Sequence, residues 1–161
     1  MTLKPERQLV ETVIHCSLRE ASGNAGAAVY YVGDDKVALA PMDTPRGAIA
    51  GVLLQDVRPF DYTTRSQRLC DSTAVSGDKV GIMSKGIIIT DMFSAVGGAA
   101  IVGSGVQASG AAGNLVMCAN TLTTKVSGVE TTVENPYKIG RIISTSGLLG
   151  MHGYVKVQID C

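Results

Sequence analysis

The spacing Gly103-x-Gly105-x-x-Ala108, inside IVGSGVQASGAAGN, is one at which a backbone can do chemistry. Placed after a strand and opening a helix, it cradles the pyrophosphate of a dinucleotide. That chemistry needs a helix whose N-terminal amides point at the phosphate. After Ala108 the chain reads SGAAGN, so Gly110 and Gly113 fall where the first helical turns should run. Each interior glycine costs a helix about 1 kcal/mol relative to alanine. No amphipathic helix follows, and no strand ending in an acid comes about 20 residues later. The stretch Cys118 to Val133, CANTLTTKVSGVETTV, is rich in β-branched and turn residues instead. The glycines are read as turns, and no cofactor is expected.

Nucleophilic and acid–base chemistry finds no better constellation. Neither G-x-S-x-G nor a Walker loop occurs, and the two imidazoles are His15, expected on the polar face of a strand, and His152, in the turn MHG. Both read as surface histidines. Asp34 and Asp35 fall in a turn, as does Asp78, where short acids satisfy local amides. VGDDKVA lacks the alternating oxygen ligands of a calcium loop. Cys16, Cys70, Cys118 and Cys161 stand roughly 40 or more residues apart, unlike the close pairs of zinc sites. Free thiols are expected, with Cys161 accessible at the chain end. Catalytic residues, none; metal ligands, none; the chain reads as a non-enzyme.

Charge and length narrow the partners. Lys plus Arg and Asp plus Glu stand at 14 each in 161 residues, which leaves no net field to draw in nucleic acid or an anionic membrane. No stretch approaches the roughly 20 apolar residues of a spanning helix. MTLKPERQLV puts Pro5 and three charges where a signal peptide needs its apolar region. Synthesis in a cytosol is expected. Arg58, Arg65 and Arg68, interleaved with Phe60 and Tyr62, are too sparse for a nucleic-acid footprint and suit a protein interface.

The elements that must position such groups read as strands. Nineteen glycines and 4% aromatic residues favour short strands joined by turns. From Leu9 to Leu18 the even positions Val10, Thr12, Ile14, Cys16 and Leu18 alternate with Glu11, His15 and Ser17, a strand with one wet face. VYYV and VALA follow around GDDK. Ile49 to Val57 reads as a strand whose interior Gly51 marks a bulge or a close backbone approach. SGDKVGIMSKGIIITD reads as a hairpin turning at Lys85-Gly86, and MFSAVGGAA as a short helical turn stopped by Gly97 and Gly98. Val155, Val157 and Ile159 alternate with Lys156, Gln158 and Asp160 in a last strand. These elements predict one all-β domain, with residues 1–12 as an extended N-terminal arm, 13–161 as the body and a surface loop near 58–74.

Taken in order, GAAVYYVGDDKVALA, PRGAIAGVLLQDV, SGDKVGIMSKGIIITD, GSGVQASGAAGNLVM and KIGRIISTSGLLGMHGYVKVQID form a pattern from Gly26 to Asp160. The pattern resembles the bacteriophage capsid decoration, or cement, proteins. Each piece alone is unspecific and their order carries the likeness, from which the insertion Arg58 to Ala74 departs. The resemblance implies a single compact β-barrel or β-sandwich of tulip-like form. It also implies a virion structural protein on the outside of the capsid, a homotrimer binding the major capsid protein, without catalysis. The contacts expected are Leu3, Arg7 and Leu9 in the arm and Arg58, Phe60, Tyr62 and Arg65 in the aromatic-basic loop. The alternatives are a head-fibre base or tail-associated β protein, and a small β-barrel hydrolase or ligand-binding module using His15 or His152.

Overall fold

Val, Ile and Thr at alternate positions between glycine-bearing turns fold here into strands. The computed structural model describes residues 4–5, 11–13, 16–59, 73–94, 99–110, 113–145 and 154–161. Within them the one helical element is the 3-10 turn Arg46–Ala48. The strands are β1 (Lys4–Pro5), β2 (Glu11–Val13), β3 (Ser17–Leu18), β4 (Ala28–Gly33), β5 (Lys36–Leu39), β6 (Ile49–Leu53), β7 (Asp56–Arg58) and β8 (Thr73–Val75). They continue with β9 (Ile82–Thr90), β10 (Phe93–Ser94), β11 (Gly105–Ser109), β12 (Asn114–Cys118), β13 (Thr121–Val126), β14 (Val129–Glu134), β15 (Gly140–Ser144) and β16 (Val155–Asp160).

The fold is all-β. Twelve strands make one mixed sheet in the order β10-β12-β11-β15-β16-β9-β6-β4-β5-β3, with β1 and β2 also on β9. That order has two ends, so the described strands do not close into a barrel. Two small sheets, β13-β14 and β7-β8, stand apart from it.

Strand β9 joins the halves of the large sheet. Met83 lies opposite Thr12 on one edge and Val52 on the other, and Lys85 lies opposite Glu11 and Asp160. Since β2 follows one edge past both residues, β6 and β16 take the other edge in succession and diverge from it. A register shift between Glu11 and Thr12 puts an extra residue in β9, the bulge that bends a strand. Gly86 sits beside it at φ 152°. The hairpin expected at Lys85-Gly86 is therefore absent, and the chain runs on as one nine-residue strand. Partners on both edges hold it extended, and the glycine's positive φ serves the bend instead of a reversal.

Two apolar clusters cover the two faces of the β6 half. Ala28, Val52 and Met83 pack with Ile88, Val106, Leu115, Ile142, Val157 and Ile159 from the other half. Leu18, Val29, Val37, Leu53, Val57, Val80 and Ile82 fill the opposite side. Strand β6, IAGVL, is buried at every position, because a strand covered on both faces has no wet side. Gly51 in it has φ 141°, and a Cβ there would overlap the Met83 carbonyl oxygen, which is the close approach expected. Beyond Leu53 the chain bends at Leu54 and Gln55, so the run to Val57 is two strands.

Other expectations divide in the same way. The run Leu9 to Leu18 is split between β2 and β3, with Cys16 and Leu18 both buried as the alternation requires. Phe93–Ser94, expected in a helical turn, is strand β10 beside β12. β16 buries Val155, Val157 and Ile159 and leaves the intervening residues partly exposed. Of the expected arm, the described residues 4–5 and 11–12 are strand residues laid on β9.

Candidate interaction surface

The glycine pattern that opened the question of a cofactor lies at the entry to β11. Gly103 has φ 89° in a turn, its amide donates to the Ile142 carbonyl at 2.9 Å, and Gly105 begins a strand. Gly110 and Gly113, both at φ 70°, turn the chain into β12. There the Gly113 carbonyl accepts from the Ala28 amide at 2.7 Å and a Cβ would crowd the Ala28 carbonyl oxygen. Gly113 admits neighbouring backbone, Gly103 and Gly110 take left-handed turn conformations with open space around them, and among the described residues no helix N-terminus follows.

Of the expected contact residues, Arg58 is placed. Its guanidinium donates to the carbonyls of Gly23 at 3.2 Å and Val57 at 3.1 Å and to Asn24 Oδ1 at 3.0 Å, and it pairs with Asp56 at 3.4 Å. Five donors in a planar fork suit such a tie between strands. Arg58 thus holds β7 to the 23–24 turn, although its side chain remains half-exposed. Leu3, Arg7, Leu9, Phe60, Tyr62 and Arg65 lie outside the described residues, as do His15, His152 and Cys70.

Asp35 and Asp78 stand where the chain turns, but among the described residues neither side chain is tied to a local amide. Asp35, at φ 55°, closes the β4-β5 turn and pairs with Lys79 at 3.5 Å. The Asp78 amide donates to the Val75 carbonyl at 2.9 Å. Among the described residues no group of three His, Cys, Asp or Glu side chains is placed to hold a metal ion, and no helix is long and apolar enough to cross a membrane.

The described cysteines are free thiols: Cys16 is buried, and Cys118 and Cys161 are partly buried. Cys161, expected to be accessible, packs against the core cluster. Burial pushes the Cys118 thiol up to about 11, against a smaller lowering by Lys138, and the Cys161 thiol up to about 12, against Arg46. Burial also raises Cys16, helped by Asp35. Because the thiolate is the reactive species, Cys118 and Cys161 are expected to alkylate slowly in the folded protein at mildly alkaline pH and quickly in urea. Peptide mass spectrometry reads this, and fast labelling of either in the folded state contradicts it. Raised thiol pKa values stabilise the fold fully below the ordinary 9.0, and that contribution fades as pH climbs toward about 11 and about 12.

A groove of about 220 Å³ lies on the outer side of β15 and β16, lined by Arg46, Glu134, Lys138, Gly140, Arg141, Gln158 and Asp160. Two of its cations are ion-paired and the third is hydrogen-bonded to an amide. Arg46 meets Asp160 at 3.4 Å, Lys138 meets Glu134 at 2.9 Å, and Arg141 Nε donates to Gln158 Oε1 at 2.9 Å. The hydrogen bond from Lys138 holds the Glu134 carboxyl below the usual carboxylate range.

The most exposed structure described is the β13-β14 hairpin, whose described side chains are open to solvent. Ser127 at φ 53° and Gly128 at φ 84° make its two-residue turn, the geometry that suits strand twist. Its root is held by buried Asn135, whose Nδ2 donates to the Ala119 carbonyl at 2.9 Å and whose Oδ1 accepts from the Tyr137 amide at 3.0 Å. The register Leu122↔Val133, Thr124↔Thr131, with Val129 two residues from Thr131, sets one uncharged face. The other face carries Thr123 against Thr132 at 3.2 Å and Lys125 against Glu130 at 3.4 Å. Leu122, Val133 and Val129 are 37%, 48% and 65% exposed. Asn120 Nδ2 donates to the Gly103 carbonyl at 3.0 Å, bringing the loop with exposed Ile101 and Val102 to the hairpin root.

Sequence reasoning saw β-branched and turn residues in this stretch but not the hairpin. The signal that finds it is Ser127-Gly128 between the alternating runs LTTKV and VETTV. Compared with known proteins, the chain matches no family model and no curated protein. Function is therefore argued from the surface itself.

Proposed function

We propose that this chain is a virion structural protein, a homotrimer that binds the outer surface of an assembled bacteriophage capsid and stabilises it. The observation that carries the reading is a strand-built body that presents a two-stranded hairpin with an uncovered, uncharged face. Exposed apolar surface of this kind marks an interaction site. The order of the glycine-punctuated segments, which resembles the decoration proteins, supports the major capsid protein as the partner. The chain would be made in the host cytoplasm and reside on the capsid exterior.

The physics of such a protein is mass action. A ligand that binds the expanded shell and not its precursor stabilises the shell by its binding free energy. Contacts with several capsomers at once multiply affinity by about 10²- to 10⁴-fold over one contact. The test is co-sedimentation of the purified protein with mature and with unexpanded capsids. Binding to the mature shell and little to the precursor is the expected result, and binding to neither overturns the reading.

A further inference from the structure

We propose that the β13-β14 hairpin docks on a second copy of this chain, in a closed ring about an axis parallel to its strands. An isolated two-stranded hairpin is marginal in water, and a third strand or cover for its apolar face is what makes one stable. Among the described residues this hairpin has neither: it forms its own two-stranded sheet with no described strand on either outer edge, and Leu122, Val129 and Val133 are exposed. Open edges of β-branched residues pair with other chains.

Charge selects the occupant. The uncharged face offers nothing to a phosphate backbone or a lipid headgroup. The polar face carries Lys125 opposite Glu130 at one height, and Glu134 at the hairpin root, where Lys138 pairs with it. In copies related by rotation about an axis along the strands, residues at one height stay at that height. Lys125 of one copy then comes level with Glu130 of the next, and Leu122 with Val133. β13 of one copy runs antiparallel to β14 of the next, so every open edge gains an opposite-facing neighbour and the apolar faces turn toward the axis. A head-to-tail contact of this kind closes when the rotation closes. Pairing β14 with β14 across a twofold would leave both β13 edges open. The ring assembles without any capsid, so the inference stands apart from what the ring binds.

Sedimentation velocity of the full chain alone tests it. The native protein is expected to sediment as an oligomer, and Val133→Lys as a monomer, with association weakened about 30-fold or more, as for a central interface residue. Lys125→Glu is expected to weaken association about twofold to fivefold, and the double change Lys125→Glu, Glu130→Lys to restore it. Far-UV circular dichroism checks that each variant folds; if Val133→Lys does not, the charge pair decides. A native chain that stays monomeric, a folded Val133→Lys that assembles like the native protein, or a charge exchange that restores nothing overturns the proposal. Capsid co-sedimentation is scored separately. A monomer that still binds capsids sinks the ring and the homotrimer and leaves capsid binding standing, and an oligomer that binds none sinks the capsid reading alone.

Discussion

Replacing Gly51 with valine is expected to lower the unfolding temperature by about 10–15 °C, the consequence of a loss of about 3–5 kcal/mol in a chain of this length. Two costs combine at one position. The residue has φ 141°, a conformation L side chains rarely adopt, and a Cβ would overlap the Met83 carbonyl oxygen, with Ile82 Cγ2 also close. Backbone strain of that kind costs about 1–3 kcal/mol, and overpacking a core a similar amount. The obstacle is backbone of the paired strand β9, which cannot swing aside as a side chain would. Gly33→Ala is the matched control: nothing lies within 4 Å of a Cβ there, so its unfolding temperature should stay near the native one. Thermal unfolding followed by circular dichroism reads both. If Gly51→Val unfolds within about 3 °C of the native protein, less than 1–2 kcal/mol is at stake and the close approach of β6 to β9 is wrong.

Leu53→Ala is expected to cost about 2–5 kcal/mol, the range for truncating a buried leucine. Leu53 is fully buried and sits in the cluster with Leu18, Val29, Val37 and Val57. That cluster covers the side of β6 facing away from the other half of the sheet, and its loss leaves a cavity that strands held on both edges cannot close. The urea midpoint should fall with an unchanged slope, since the unfolded state exposes nearly the same surface. Met42→Ala, at a side chain 58% exposed, should change stability by under about 0.5 kcal/mol. A Leu53→Ala midpoint equal to that of Met42→Ala would remove the second core.

Particular residues show how far the chain could be read before its fold was known. Val155, Val157 and Ile159 alternate with partly exposed neighbours in β16 as their order predicts, because that strand has one core face. Ile49–Leu53 defied alternation because β6 has a core on each face. Gly86 looked like a turn because lysine followed by glycine suits one; the partners Glu11 and Asp160 on the two sides of Lys85 keep the chain extended, bent but not reversed. The hairpin at Ser127-Gly128 was legible in pattern alone, yet its uncovered face was not, since exposure depends on where the rest of the chain packs. Arg58 shows the same limit. An arginine near aromatic residues suits a partner surface, but Gly23, Asn24 and Asp56 claim its guanidinium.

Local residue types alone determined that this protein is built from strands: glycine and β-branched side chains disfavour helices whatever their surroundings. They also set its lack of net charge and the turn character of Gly103 and Gly110. Tertiary structure alone decided that β9 joins two diverging halves, that β6 is covered twice, and that the β13-β14 hairpin stands uncovered. The reason is that strand pairing and burial are made between residues far apart along the chain, and a segment's own pattern carries no record of which neighbour will cover it.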